Sequence, residues 1–357
     1  MTTIEQKKQR DVSLDVTKGI CIILMVVGHA GCPGWMYNFI YMFHMPLFFF
    51  ISGMLLSERY IDDPKLGVLR KLKGYYKPFV KWTIVFVLLH NVFAAMHILE
   101  PSYTLGVIIK KCILSFFLLC VEIGPYWFLA SLIMASIASI LLLGLLKRYK
   151  LLNNISLVGV VILSVLVASV FPATVEFTAF GRPVFLGQIG PQTFLAFAFF
   201  VSGYIYKHET RCRQFFEQSW VPVVILLVVF VWSLYKPMHM LVAYSPNTKC
   251  WQYYPLALGG LFSVLALVKK LRYKPLVATF NYIGSKTLYI LTFHLFSFKI
   301  VSYAWIEYHH LPIEQLSEGW FLESAAPWLW VIYSIVGVVV PLMLWEARRL
   351  IHARVSV

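Results

Sequence analysis

Ten stretches of mostly apolar residues, most of them long enough to cross a bilayer, recur along this chain, at about 13–31, 38–57, 79–99, 126–146, 153–171, 191–206, 219–235, 253–268, 285–305 and 327–347. That recurrence constrains the fold more than any other feature. A hydrocarbon core admits only backbone whose N–H and C=O groups are satisfied within the segment or within a closed barrel. Continuous apolar runs of this length select the helix. The composition agrees: 60% of the residues are hydrophobic and 13% charged, against roughly half and a quarter in soluble domains. The expectation is an all-α, polytopic membrane helix bundle with about ten transmembrane helices.

Lys and Arg set the orientation. With the N-terminus inside, 23 of the 31 basic residues fall in inner segments and 5 in outer ones. Both termini are therefore expected in the cytoplasm. The formal net charge of +15 is met by this loop bias. Because the charges form short clusters between apolar runs and no basic domain, nucleic acid is excluded as a partner. Residues 105–120 are apolar enough for an eleventh span. Counting them would turn Lys147, Arg148 and Lys150 outward, so they read as an interfacial or re-entrant helix on the outer side. The 58–81 segment reads as the longest loop, too short for a core of its own, and the chain reads as a single membrane domain over 1–357. No cleavable signal peptide is evident. The six cysteines show no metal spacing, and no metal is expected; Cys32 and Cys250 would both face outward, where a disulfide can form.

Two five-residue stretches echo each other: Phe49-Phe50-Ile51-Ser52-Gly53 and Phe199-Phe200-Val201-Ser202-Gly203. A duplicated fold is one reading. Two tight helix packings, where Ser-Gly pairs let backbones approach, is the favoured one.

The first run carries the most chemistry. Lys18 and His29 lie eleven residues apart, near three helical turns, so they share one face about 16 Å apart. Ionisable groups inside a span usually face a cavity or a partner. Lys18 can equally snorkel to the headgroups, and His29 can be an interfacial residue. His44, ahead of Pro46, and His294, inside an otherwise apolar run, are further intramembrane candidates. Arg70, Lys71, Lys73, Lys77 and Lys81 read as positive-inside charge or as a surface for an anionic cofactor. Glu122, at the outer end of the fourth run, is a candidate for orienting His29.

Taken together, Leu14-Asp15…Lys18-Gly19…Gly28-His29, Phe43-His44-Met45-Pro46-Leu47-Phe48-Phe49-Phe50-Ile51-Ser52-Gly53, Arg70-x-x-Lys73, Trp127-Phe128-Leu129 and Gly284-Ser285-Lys286-Thr287-Leu288…His294 resemble the membrane acyltransferase family 3, in its fucose 4-O-acetylase-like branch. Lys73 stands where that family usually carries a second Arg, which weakens a bidentate phosphate grip. The resemblance implies ten spans and an enzyme, an O-acetyltransferase, with acetyl-CoA as acyl donor. The acceptor would be a hydroxyl of a surface polysaccharide or its lipid-linked saccharide precursor. It also implies a bacterial cytoplasmic (inner) membrane. His29 becomes the expected general base, with His44 and His294 beside it as catalytic candidates. Lys18, Arg70 and Lys73 become the expected donor contacts. A proton-coupled transporter or flippase without covalent chemistry is the rival reading.

Overall fold

The computed structural model describes residues 12–172, 176–179, 182–185, 190–209, 214–216, 220–242, 245 and 247–355. These residues are overwhelmingly helical. In chain order the helices are α1 (Val12–His29), α2 (Gly34–Tyr41), α3 (His44–Met54), α4 (Arg59–Asp62), α5 (Pro64–Lys71), α6 (Lys77–Ala95), α7 (Leu105–Phe116), α8 (Tyr126–Arg148) and α9 (Asn154–Val170). They continue with α10 (Pro191–His208), α11 (Val221–Tyr235), α12 (Cys250–Lys270), α13 (Lys274–Gly284), α14 (Thr287–His309) and α15 (Trp330–Val355). One exception to the all-helical expectation is a hairpin between α9 and α10, β1 (Glu176–Ala179) with β2 (Arg182–Phe185), paired antiparallel with Ala179 opposite Arg182.

Among the described residues, six helical stretches are long and apolar enough to cross a membrane: Val12–His29, Pro64–Ala95, Tyr126–Arg148, Cys250–Lys270, Thr287–His309 and Trp330–Ala353. Asn154–Val170 and Val221–Tyr235 are shorter apolar helices. The bundle has an apolar interior with polar side chains set into it and is faced outside by large apolar residues. Thr17, His44, Thr83, Ser131, Ser136, Ser139 and His294 are buried, whereas Ile155 and Val170 on α9 are 86% and 83% exposed. Such an exterior suits lipid and not water.

Two stretches differ from the sequence expectation. The 58–81 segment is not a loop. Asp63 caps α5 by accepting from the Leu66 amide at 3.0 Å, and Pro64 occupies the first turn, where its missing N–H costs nothing. From there helix runs to Ala95, through a π-helical segment at Leu72–Tyr76. The resulting 32 residues measure about 48 Å, well beyond a hydrocarbon core. The second expected span, 38–57, is broken at Met42-Phe43 into α2 and α3, which puts Pro46 in the first turn of α3. Residues 105–120 form only the 12-residue α7, capped by Thr104 and too short to cross.

Two glycine contacts set the packing. A Cβ on Gly53 would lie 1.9 Å from the Phe200 carbonyl oxygen, and one on Gly203 would lie 1.9 Å from that of Phe50. The two halves of the echoed motif are thus each other's partners, which bears out the tight-packing reading. Four residues past the end of α3, Glu58 receives Lys207 at 2.8 Å and Tyr204 at 3.0 Å from the C-terminal part of α10, so α3 and α10 run the same way. Gly19 and Gly284 make the equivalent contact between α1 and α13 (a Cβ would meet Phe280 and Asp15 carbonyls at 2.0 and 1.8 Å). Cys32 and Cys250 are both free thiols, and Cys250 instead donates to the Ala168 carbonyl at 3.3 Å. The disulfide reading is therefore corrected.

Candidate functional site

α1 ends where Gly31 takes the left-handed conformation at φ +77°, which leaves His29 on the last helical turn. Gly28, just before it, leaves room for the ring of Tyr41, which a Cβ would meet at 2.9 Å. Around His29 opens a cavity of about 690 Å³. Its walls are Met25, Gly28 and His29 of α1, Tyr37 and Tyr41 of α2, His44 and Met45 of α3, Trp127 of α8, and Leu291 and Leu295 of α14. Three loops complete it: one brings Gly124 and Pro125, one brings His239, Met240 and Leu241, and the third is a strap at 318–324. Phe321 of the strap packs on Gly31, where a Cβ would come within 2.6 Å of its ring.

His294, fully buried on α14, fixes the state of His29. Its Nδ1 lies 2.9 Å from the Ile290 carbonyl and 3.1 Å from that of Leu291. Carbonyls only accept, so Nδ1 carries the hydrogen and Nε2 of neutral His294 is a bare lone pair. His29 Nδ1 sits 3.1 Å from that Nε2, so it donates, and the rings stack at 5.2 Å. Met25 Sδ, also 3.1 Å away, is a weaker acceptor for the same hydrogen. What remains on His29 is Nε2 with its lone pair. Two residues before His294 on the same helix, Thr292 meets Tyr126 of α8 at 2.8 Å and ties α14 in place.

His44 repeats the pattern. Its Nδ1 donates to the Ile40 carbonyl at 2.8 Å, in the last turn of α2. Its Nε2 is buried and has no partner, while the side chain lines the cavity. An unpaired buried acceptor costs about 1–3 kcal/mol unless something donates to it. His239 stacks on Tyr41 at 4.7 Å, and burial pushes its titration down to about 4, so it is neutral near pH 7.

The structure brings His29, His44 and His294 together and leaves Lys18, Arg70 and Lys73 outside the cavity. Lys18 is paired with Asp15 at 2.5 Å, three turns below His29 on α1. Arg70 and Lys73 are exposed, before and within the π-helical segment. Irregular turns of this kind recur at functional sites. Glu122 does not reach His29. Its carboxylate is taken by His90 at 2.8 Å and Lys111 at 2.7 Å, with Tyr103 at 3.5 Å. His294, not Glu122, orients His29. Tyr41, His239 and the strap residues carried no signal of their own in the sequence, because they reach the site only through loops and a helix break.

The geometry is matched by relationship. The family described as the acyltransferase domain matches residues 11–346. The nodulation protein NolL of Mesorhizobium japonicum is 26% identical over 234 residues, 61% of this chain and 54% of that relative, so the chain spans about half the length of the curated relative it matches. No solved structure matches. Matched from end to end of its helical body, the chain is a multi-pass membrane member of the acyltransferase domain family.

Proposed function

We propose that the protein is an O-acetyltransferase moving an acetyl group from cytoplasmic acetyl-CoA to a hydroxyl of a surface polysaccharide or its lipid-linked saccharide precursor. The observation that carries this reading is the hydrogen bond from His29 to His294, which leaves the lone pair of His29 Nε2 as a base. The bundle would sit in a bacterial cytoplasmic (inner) membrane, crossing it ten times with both ends inside. The basic-residue bias of 23 to 5 supports that orientation.

His29 Nε2 takes the proton of the acceptor hydroxyl as its oxygen attacks the thioester carbonyl. The tetrahedral adduct collapses with cleavage of the C–S bond, and the departing thiolate recovers the proton from Nε2–H. While His29 is an imidazolium, its bond to His294 becomes charge-assisted and stronger, which favours the transition state over the ground state. A thioester is already activated, so a positioned base and oriented partners suffice. A covalent acetyl-enzyme through His29 is the chemical variant.

The donor is assigned to the other end of the bundle. The 32-residue helix from Pro64 to Ala95 is longer than a membrane core by about 18 Å. Its N-terminal turns, with Arg70 and Lys73, would extend into the cytoplasm, where phosphates are met. Lys18, at the same end of α1, would be the third contact.

Calorimetric titration of acetyl-CoA into detergent-solubilised protein, followed by transfer assays in membranes, tests the reading. Saturable binding weakened by Lys18→Ala or Arg70→Ala, with His29→Ala binding the donor but transferring nothing, is the expected result. Absence of donor binding by folded protein would sink it in favour of a proton-coupled transporter.

A further inference from the structure

We propose that the mouth of the His29 cavity is a charge filter that admits uncharged, hydrogen-bond-donating acceptor groups, such as the hydroxyl-bearing ring of a neutral sugar, and turns away anionic ones. The inference rests on the acyltransferase reading for the use made of the filter, but its physical basis is independent.

The histidine nitrogens left without a hydrogen at the site are acceptors, while the hydroxyls and indoles of the lining can also donate. Nε2 of His29 carries a lone pair in a side chain that lines the cavity, whereas that of His44, in a side chain only 1% exposed, is closed off from it without a partner. Among the described lining residues the ionised side chains are Glu318 and Glu323, both exposed on the strap, and no Lys or Arg lines the cavity. A hydroxyl can donate to His29 Nε2 and to the carboxylates. An ionised phosphate or carboxylate has no hydrogen to give them and meets like charge at the mouth.

The cation nearest the strap is already engaged behind it. Lys299 of α14, 5% exposed, donates to the Leu316 and Gly319 carbonyls, and its ammonium lies 5.5 Å from the ring centre of Trp320. That arrangement fixes the strap and presents its carboxylates and Trp320 to the opening, without offering positive charge to a ligand. Trp127 and Trp320 supply flat apolar faces of the kind that pack on the C–H side of a sugar ring. The filter also separates the two substrates: a phosphate-bearing donor is repelled from this mouth and must enter from the Lys18 end.

The test is thiol access. Leu241→Cys places a thiol in the cavity wall on a loop remote in sequence from both glutamates. Its modification rates by a cationic and an anionic methanethiosulfonate of similar size are compared, each normalised to the reagent's rate with free cysteine, with the parent chain as the blank for native thiols. Both reagents attack the same thiolate, so any shift in its titration cancels in the ratio. The cationic reagent should react faster by about fivefold or more at low salt. The ratio should approach one at high salt and in Leu241→Cys/Glu318→Gln/Glu323→Gln. Equal rates at low salt, or a preference that survives the two glutamine substitutions, overturns the filter. Either result stands apart from donor binding, whose failure would sink the acyltransferase reading alone.

Discussion

His29 Nδ1 lies 3.1 Å from His294 Nε2, across 265 residues of chain, and the second imidazole dictates which nitrogen of the first can act as a base. Two backbone carbonyls hold the hydrogen of His294 on Nδ1, and the remaining choices follow in sequence.

His29→Ala should therefore abolish transfer, lowering kcat by about 10²–10⁴-fold. His294→Phe should keep the packing volume but release the tautomer, with a fall in kcat of about 10²-fold and little change in acceptor KM. His294→Gln, whose side-chain oxygen can accept from His29, should recover part of the rate. Transfer of radiolabelled acetyl in membranes measures all three. Equal activity of the Phe and Gln variants would remove the positioning role.

The reciprocal glycine contact between α3 and α10 gives a stability prediction. Gly53→Ala and Gly203→Ala each place a methyl within 1.9 Å of a carbonyl oxygen, which the helices relieve only by separating. Each should cost about 3 kcal/mol and lower the unfolding temperature in detergent. An unchanged midpoint would show that the helices can part freely.

Glu58, where α3 and α10 meet, carries a pH signature. Burial raises its titration, but the hydrogen bonds from Lys207 and Tyr204 and the charges of Lys207 and His208 outweigh that, and the carboxyl is held below its ordinary value of 4.5. A lowered carboxylate stabilises the fold above its unfolded value and loses that contribution as pH falls through the folded one. The gap in unfolding midpoint between the parent protein and Glu58→Gln should be full at pH 7 and close below pH 4.5. A constant gap across that range contradicts the assignment.

Lys299→Met removes the ammonium that holds the strap and leaves the Leu316 and Gly319 carbonyls without their donor. Each orphaned carbonyl costs about 1–3 kcal/mol if it stays buried, so the strap should open to water. Faster protease cleavage within 312–324, with cleavage elsewhere unchanged, is the expected outcome. Unchanged cleavage throughout would show that the strap is held by Phe321 on Gly31 alone.

Much of the architecture was legible along the chain. Apolar runs announce helices because lipid requires internal backbone bonding, and Lys18, His29, His44 and His294 stood out as ionisable groups in apolar surroundings. The break at Met42-Phe43 was hidden because both halves are equally apolar. Helix from 64 to 78 was hidden because its basic residues resemble loop charge, although Asp63-Pro64 was a readable start signal.

The sequence by itself determined that this chain folds as membrane-crossing helices, that His29, His44 and His294 sit in apolar surroundings, and that the 49–53 and 199–203 motifs are packing surfaces. Only the tertiary structure decided that those two motifs grip each other, that Glu122 is occupied elsewhere, that His294 is the partner of His29, and that Glu318 and Glu323 stand at the mouth. The physical reason is range. Helix formation and lipid burial depend on neighbours within a few turns. A lone pair's direction, a carboxylate's partner and a cavity's charge depend on residues brought together from distant parts of the chain.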